Sequence, residues 1–346
     1  MNKITAMIIV LFSFSLYASE ETGNDINNYK KADIEQNIKS IYIGKETNFT
    51  KIMHLLKTCN ANAVVIDVKD DWGNIHLPMQ SVDQEDDSSS THKLKSLIKK
   101  LEKQNVYPIA RVVAFKDFVR KDLCIKDSDG NVITDKEKTS WMSPYNCKVR
   151  NYLKNICCRA IKIGFKEVQL DYVRFSSTLT LHDSKDKAQR ITAINQFLDE
   201  ICDSVHELGG KVSVCVFGCI IEKTKKQFST NSKVLGQDYV SICKRADFVC
   251  PMIYPSHYAK GFGGIKNPDL APYKVIYSCM KLSNEILKNL DVKSVVRPYL
   301  QAFTATWLKK HKRYRKKEIN EQIQALKDTE CFQWGLFNMG LKYPEN

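Results

Sequence analysis

A carboxylate and a guanidinium follow one apolar segment closely enough to do chemistry together. The first half of residues 164–176 is short and rich in Val, Leu and Phe, which predicts a buried strand, and Asp171 and Arg174 stand where that strand should end. Strand alternation places Gln169, Asp171 and Val173 on one face. A carboxylate on an inward face is unfavourable unless it is paired or used. The segment therefore allows two interpretations, a structural ion pair or a catalytic group.

Polar and aromatic side chains recur at the ends of the other predicted strands, while the strand bodies stay apolar. The carboxyl ends of parallel strands in a barrel meet at one mouth, where substrates bind. Aromatic faces suit the C–H surfaces of sugars, and carboxylates and amides suit their hydroxyl groups. We therefore predict a carbohydrate site, with the carboxylates of Asp171, Asp67 and Asp70 among its candidate residues. The candidate binding residues are Lys69, Trp72, Arg111, Arg174, Tyr254, His257, Tyr258, Arg297, Gln301, Trp334 and Asn338.

The geometry expected of this site is specific. Asp171 should be ionised and held by Arg174 or Arg111, because a nearby cation favours the charged form of a carboxyl. Seven side chains are expected to converge at one mouth of the barrel: Asp67, Arg111, Asp171, Arg174, Tyr254, Arg297 and Asn338.

The elements that must position these residues alternate strictly between strand and helix. This order predicts an α/β fold, a (β/α)8 TIM barrel over residues 38–346 that lacks its last helix, with residues 33–39 as a possible cover for the gap. The long connection over residues 115–145 contains aromatic residues, which favours a functional role. The predicted strands cover 40–43, 63–68, 107–114, the first half of 164–176, 211–218, 247–253, 295–300 and 332–338. The predicted helices cover 48–59, 93–104, 149–163, 187–208, 236–245, 272–290 and 317–328.

The first residues have the pattern of a targeting segment. Lys3 precedes an apolar run that is too short to span a bilayer comfortably, and the small residues Ala18 and Ser19 follow it. We predict a signal peptide over residues 1–19, a polar linker over 20–37 and an exported protein of the periplasm or cell envelope. A retained anchor is the alternative. No later run is apolar enough to span a membrane.

The composition of the chain indicates which classes of binding partner to expect. The formal net charge is +14, which favours anionic partners through long-range attraction. The only dense basic run lies at residues 311–317, and we interpret it as a solvated loop that opens a helix. The twelve cysteines show neither C-x-x-C nor zinc spacing, and most are expected to be small buried hydrophobes. The sequence predicts no cofactor, no metal and no nucleic-acid partner, and it leaves the oligomeric state open.

Five segments of the chain resemble a known family. They are residues 62–71 (NAVVIDVKDD), 109–117 (IARVVAFKD), 168–175 (VQLDYVRF), 251–258 (PMIYPSHY) and 296–301 (VRPYLQ). In this order they are similar to a bacterial family of glycosyl hydrolase domains, and the resemblance extends from about residue 41 to 343. It implies a TIM barrel distantly related to the α-amylase type.

The resemblance also implies roles for two positions. Asp171 takes the place of the strand-four carboxylate that acts as nucleophile in related retaining glycosidases, which need a second carboxyl roughly 5 to 5.5 Å away. The family has an Asp on strand five in a run like SADVFG, whereas here the run is SVCVFG and Cys215 fills the position. Either Asp67 or Asp70 substitutes for the missing group, or the barrel only binds.

The sequence therefore leaves three candidate functions. The first is an exported glycoside-hydrolase-like barrel that acts on envelope or other glycans. The second is a catalytically inactive barrel that binds carbohydrate, which Cys215 favours. The third is an envelope scaffold for partner proteins. An aromatic-lined pocket would argue against this third function.

Overall fold

Nine parallel strand segments close into a barrel in the computed structural model, which describes residues 37–77, 89–179, 187–223 and 230–344. Pairing runs from β1 to β6, continues through β8 and β9 and returns to β1, while β7 pairs only with β6. Segments β7 and β8 are two parts of the predicted seventh strand, separated by Arg297 and Pro298. The predicted closed barrel is therefore confirmed. The strands are β1 (Lys39–Gly44), β2 (Ala63–Lys69), β3 (Tyr107–Val113), β4 (Glu167–Asp171), β5 (Lys211–Phe217), β6 (Phe248–Met252), β7 (Val295–Val296), β8 (Tyr299–Gln301) and β9 (Trp334–Phe337).

Amphipathic helices connect the strands and cover the barrel. Two of them begin at asparagine caps, since the side chains of Asn48 and Asn146 accept hydrogen bonds from the free backbone N–H groups of the first turn. A short helix, α5, was not predicted and precedes α6. The helices are α1 (Phe49–Cys59), α2 (Ser89–Lys103), α3 (Cys147–Ile163), α4 (Lys187–Glu207), α5 (Thr230–Leu235), α6 (Tyr239–Cys243), α7 (Pro272–Leu287) and α8 (Lys316–Lys327).

Except for the short segment β7, the strands are buried on both faces, so the protein has an outer and an inner core. The outer core lies between strands and helices and contains Ile41, Val64 and Val168. The inner core fills the barrel and contains Val65 and Ile109 together with several aromatic and cysteine side chains. Most of the twelve cysteines are buried, and all are free thiols. Parallel strands that are covered on both faces explain why the predicted strands were apolar rather than alternating.

Gly335 on β9 lies in a close contact inside the barrel. A Cβ atom there would lie 2.8 Å from Tyr299 Cε1 and 3.0 Å from Ser40 Oγ. Tyr299 has little freedom to move because it is buried and its hydroxyl donates to Gln169 Oε1 at 2.6 Å. We expect Gly335→Ala to lower the free energy of unfolding by about 1–3 kcal/mol, the usual effect of overpacking.

Urea denaturation of Gly335→Ala and Gly340→Ala measures this effect. A Cβ at Gly340 would meet only Asn338 Oδ1, at 3.5 Å, so this control should change stability by less than about 0.5 kcal/mol. Equal stability of the two variants would contradict the tight packing of β8 against β9.

The predicted signal peptide, most of the predicted linker and residues 33–36 of the proposed cover lie outside the described residues. Within the described ranges, none of the helices has the length and apolar character needed to cross a bilayer.

Candidate active site

The carboxyl ends of the strands enclose a cavity of about 470 Å³. Strand alternation turns every second side chain inward, and at this end most of the inward residues are polar or aromatic. Six of the predicted site residues line the cavity: Arg111, Asp171, Arg174, Tyr254, His257 and Tyr258.

Arg111 on β3 is the centre of the charged part of the cavity. Its Nε and Nη2 atoms both donate to Asp171 Oδ2, at 3.0 and 2.8 Å. Its Nη1 atom donates to Asp67 Oδ1 at 2.9 Å and to Asp71 Oδ2 at 3.0 Å. Asp67 also accepts a hydrogen bond from the hydroxyl of Tyr42, at 2.7 Å. One buried guanidinium thus orders three carboxylates from two strand ends.

Asp171 ends β4 with both carboxylate oxygens in hydrogen bonds. The second oxygen, Oδ1, accepts from the backbone N–H of Tyr172 at 2.7 Å. Tyr172 has a φ of 52°, a left-handed conformation that is uncommon for a bulky residue. This turn folds the backbone N–H back onto the carboxylate, and it fixes the orientation of Asp171 from both sides.

Arg174 lines another part of the cavity without contacting Asp171. Its guanidinium lies 4.6 Å from the ring centroid of Trp141 and 4.7 Å from that of Phe217. Its Nη1 atom donates to the carbonyl of Phe175 at 3.1 Å. Trp141 belongs to the long connection between β3 and α3, so that connection packs against one of the residues that line the cavity.

Asp71 is a cavity residue that the sequence interpretation missed. The pairing of β2 with β3 shifts register between Asp67 and Lys69, and this bulge alters which later side chains turn inward. Burial pushes the pKa of Asp71 upward, but the Arg111 guanidinium outweighs it, and the pKa lies below its ordinary value. The side chain of Asp71 is 22% exposed, against 12% for Asp171 and 4% for Asp67. Asp71 is therefore the most accessible carboxylate of the cluster.

Neutral and aromatic residues form the rest of the wall. Phe337 contacts Tyr42 and Tyr254 with ring centroids 5.1 and 5.8 Å apart. Burial lowers the pKa of His257, so its imidazole is neutral at neutral pH. Strand alternation could have identified several of these residues, because they follow apolar strand bodies on inward positions. The lining residues that were not candidates are Tyr42, Asp71, Gln169, Tyr172, Cys215, Phe217, Gly218, Cys219, Gln237, Met252, Tyr299, Phe337 and Met339.

Cys215 occupies the inward position on β5 where the resemblance implied a carboxylate. It lies in the cavity wall, in register with Cys250 on β6. Burial raises the pKa of the Cys215 thiol well above its ordinary value, and the nearby Asp171 raises it further. At neutral pH this group is an uncharged thiol and a weak hydrogen-bond donor.

Three candidates on and after β2 lie elsewhere. Asp67 contacts Arg111 but does not line the cavity. Asp70 accepts hydrogen bonds from Lys45, Asn74 and His76, which outweigh burial and hold its pKa well below its ordinary value. Lys69 is fully buried, and its Nζ atom lies 2.9 Å from Asp117 Oδ2. Lys69 and Asp70 therefore anchor loops, contrary to expectation.

Arg297 corrects the predicted convergence most clearly. It pairs with Glu167, the first residue of β4, and stacks on Phe248 inside the barrel. Asp171 is the last residue of β4, so Arg297 lies at the opposite end of the barrel from the cavity. The structure therefore does not bring Arg297 together with Asp171 at the mouth of the barrel.

The remaining candidates hold loops or pack around the barrel. Gln301 accepts from the Ser256 backbone and donates to Asp269, and Asn338 donates to the carbonyl of Ala302. Trp334 is buried at the start of β9, and Trp72 is 64% exposed on the rim, where it contacts Phe118. The cavity thus excludes Gln301, Asn338, Trp334 and Trp72.

Comparison with solved structures shows barrels of the same type. The PgaB (BpsB) glycoside hydrolase domain from Bordetella bronchiseptica has a TM-score of 0.57 at 14% identity, covering 88% of this chain and 94% of that one. The spore cortex-lytic enzyme SleL from Bacillus megaterium has a TM-score of 0.51 at 12% identity, covering 89% and 72%. The α-galactosidase TtGalA from Thermus thermophilus, in complex with stachyose, has a TM-score of 0.52 at 10% identity, covering 92% and 66%. At these identities the likeness supports the fold alone.

Sequence comparison identifies the family. No curated protein was found to match the chain. A family model described as "Putative glycosyl hydrolase domain" matches residues 23–343, which include every strand of the barrel and every residue of the cavity. The chain therefore belongs to this glycosyl hydrolase domain family.

Proposed function

We propose that this protein is a glycoside hydrolase that binds a sugar in the cavity and uses Asp171 as nucleophile or as stabiliser of the oxocarbenium-like transition state. The observation that carries the proposal is the position of Asp171, at the end of β4 in an aromatic-walled cavity and fixed by Arg111. A carboxylate in a fixed orientation is prepared for positive charge that develops at the anomeric carbon, since no reorganisation is needed during the reaction.

The hydrogen bonds of Asp171 leave it able to react. Each carboxylate oxygen carries two lone pairs. Oδ1 accepts one hydrogen bond, from the backbone N–H of Tyr172, and so keeps one lone pair for a further contact. Both Arg111 bonds fall on the same oxygen, Oδ2. Arg111 therefore acts as a positioning residue that directs the less occupied oxygen of Asp171.

Asp71 is the best candidate for the acid/base that glycoside hydrolysis requires. Among the described residues, it is the only other carboxyl that lines the cavity. Arg111 holds the pKa of Asp71 below its ordinary value, which does not suit an acid. A sugar that displaces water from this side chain would strengthen the effect of burial, and this raises the pKa of a carboxyl towards the working pH.

The second candidate function is a barrel that binds carbohydrate without cleaving it. Cys215 favours this function, because a neutral thiol on β5 replaces the carboxyl that the family resemblance implied. A scaffold for partner proteins is disfavoured, since an aromatic-lined cavity with ordered charges has no evident use there. An envelope glycan is part of the proposal because of the predicted export signal at residues 1–19.

A panel of activated α- and β-glycosides tests the main proposal. Dinitrophenyl glycosides need little acid assistance because their leaving groups are good, whereas methylumbelliferyl and unactivated glycosides need more. Turnover of both classes by the wild type is the expected result. Calorimetric binding of sugars without turnover of any substrate would contradict hydrolysis and favour the binding barrel.

The Cys215→Asp variant tests whether the natural protein has lost its catalytic acid or still has one. If Asp71 already serves as acid, adding a carboxylate beside Asp171 places like charges together, and we expect kcat for unactivated glycosides to fall or stay within about threefold of wild type. A rise of about 10²-fold or more, the scale of general acid catalysis, would identify the natural protein as an enzyme that lost its acid. Cys250→Asp, at the register neighbour outside the cavity lining, is the matched control.

A further inference from the structure

A continuous series of aromatic rings extends from the cavity to the solvent-exposed surface of the protein. Tyr254 lines the cavity and contacts His257 and Phe303, with ring centroids 5.3 and 5.5 Å apart. Both of these rings contact Trp307, at 6.1 and 6.0 Å, and the Phe303 and Trp307 planes are nearly parallel at 25°. Trp307 is 63% exposed. The run offers an apolar platform directly outside the cavity.

The outer loop (residues 302–315), which carries Trp307, is held in place by specific hydrogen bonds. Asp269 accepts from the backbone N–H of Lys312 at 2.7 Å and from the hydroxyl of Tyr314 at 3.1 Å. The backbone N–H of Tyr314 donates to Thr304 Oγ1 at 3.1 Å. A fixed loop loses little conformational entropy when a ligand binds, so Trp307 is a preorganised contact surface.

The outer loop is also basic. Lys309, Lys310 and Arg313 are exposed, and none has a carboxylate partner in the described part of the chain. Lys312, by contrast, is near Glu318 and Glu321, at 3.8 and 3.5 Å. Three exposed cations in the same loop as an exposed indole, on a protein of net charge +14, create a local preference for anions.

We propose that the outer loop forms an outer subsite for an anionic polysaccharide. One sugar unit of the chain occupies the cavity, a neighbouring unit lies on Trp307 and Phe303, and Lys309, Lys310 and Arg313 attract its carboxylate or sulfate groups. The inference rests on the function proposed above only in that it places a sugar in the cavity. A sugar polymer suits this surface better than a protein because the platform is a narrow aromatic strip, continuous with the cavity.

Binding to matched pairs of polymers tests the subsite. The pairs are dextran sulfate with dextran, and polygalacturonate with its fully methyl-esterified form, measured by affinity electrophoresis at low and high salt. We expect at least one anionic polymer to bind more tightly than its neutral partner, and the preference to disappear at high salt. The two pairs distinguish sulfate from carboxylate as the recognised group. Equal binding within both pairs, or no binding to either anionic polymer, would overturn the proposal.

Variants locate the binding in the outer loop. Trp307→Ala should weaken binding of the preferred polymer about tenfold, which corresponds to the loss of one aromatic contact. The triple change Lys309→Gln, Lys310→Gln and Arg313→Gln should weaken binding at low salt only. The controls are Phe332→Ala, which removes an equally exposed ring that does not line the cavity, and a triple Lys→Gln change on α2 at Lys99, Lys100 and Lys103.

The two proposals fail independently. Asp171→Asn should keep the salt-dependent preference for the anionic polymer over its neutral partner, because the outer loop that supplies this preference does not include Asp171. Absence of all turnover would overturn hydrolysis and leave the subsite in place, whereas unchanged polymer binding by Trp307→Ala would overturn the subsite alone. Binding of single-stranded DNA more tightly than any polysaccharide, lost in the same variants, would also overturn it and reassign the loop to nucleic acid.

Discussion

Asp171→Asn is expected to lower kcat by about 10²–10³-fold if the carboxylate only stabilises positive charge in the transition state. A larger loss is expected if Asp171 forms the covalent intermediate of a retaining mechanism. The KM should change much less, because the interaction is made mainly in the transition state. The substrates are the activated glycosides that the wild type turns over, and initial rates over a range of concentrations separate kcat from KM.

The asparagine variant needs a stability control. The side-chain amide of Asn can still accept from Arg111, but its NH2 group would then face the backbone N–H of Tyr172, and some stability is lost. Asp122→Asn is the matched control, since Asp122 is 61% exposed and, within the described ranges, forms an ion pair with Arg120 alone. A kcat for Asp171→Asn within about threefold of wild type, in a folded variant, would rule out Asp171 as nucleophile and as stabiliser.

The fold followed from the sequence because most strand interiors are apolar and the longer helices are amphipathic. Parallel strands that are covered on both faces have apolar side chains on both faces, and this gives continuous apolar runs in the sequence. Successive parallel strands must also be joined by a crossover connection, usually a helix, which gives the strict alternation of strand and helix. The α5 helix was missed because its six residues, Thr230–Leu235, are too few to show helical periodicity.

The site was predicted only where the end of a strand was unambiguous. Asp171 and Arg111 sit at or near the ends of β4 and β3, and their positions could be inferred. Arg297 could not be placed, because alternation fixes which face a side chain occupies and not which end of the barrel. Asp71 could not be predicted either, since it reaches the cavity through a bulge on β2 that leaves no mark in the sequence.

Arg111→Met should lower the free energy of unfolding at neutral pH by about 3–5 kcal/mol, the usual cost of removing one partner from a buried charge cluster. The substitution leaves the carboxylates of Asp67, Asp71 and Asp171 close together without their shared cation. Arg120→Met is the control, because the pair of Arg120 with Asp122 is exposed and worth at most about 1 kcal/mol. Urea denaturation of the wild type, Arg111→Met and Arg120→Met measures how much each substitution lowers the free energy of unfolding.

The loss of stability should depend on pH in a defined direction. The pKa of Asp71 is lowered in the folded protein, so its interaction with Arg111 contributes stability above the ordinary carboxyl pKa of about 3.9 and loses it as the pH falls further. The difference between wild type and Arg111→Met should therefore be full at pH 7 and shrink below about pH 4. A difference that stays constant over this range would mean that Arg111 stabilises the barrel by packing alone.

Two further variants separate charge from geometry at Arg111. Adding Asp71→Asn to Arg111→Met removes one of the carboxylates that have lost their cation, and it should recover part of the lost stability. Arg111→Lys keeps the cation but offers one ammonium in place of three donor nitrogens, so it cannot hold Asp171 and the other carboxylates together. We expect Arg111→Lys to retain more stability than Arg111→Met and yet to lose kcat on activated glycosides, because Asp171 is no longer oriented. Full activity of Arg111→Lys would show that the orientation of Asp171 does not depend on the guanidinium.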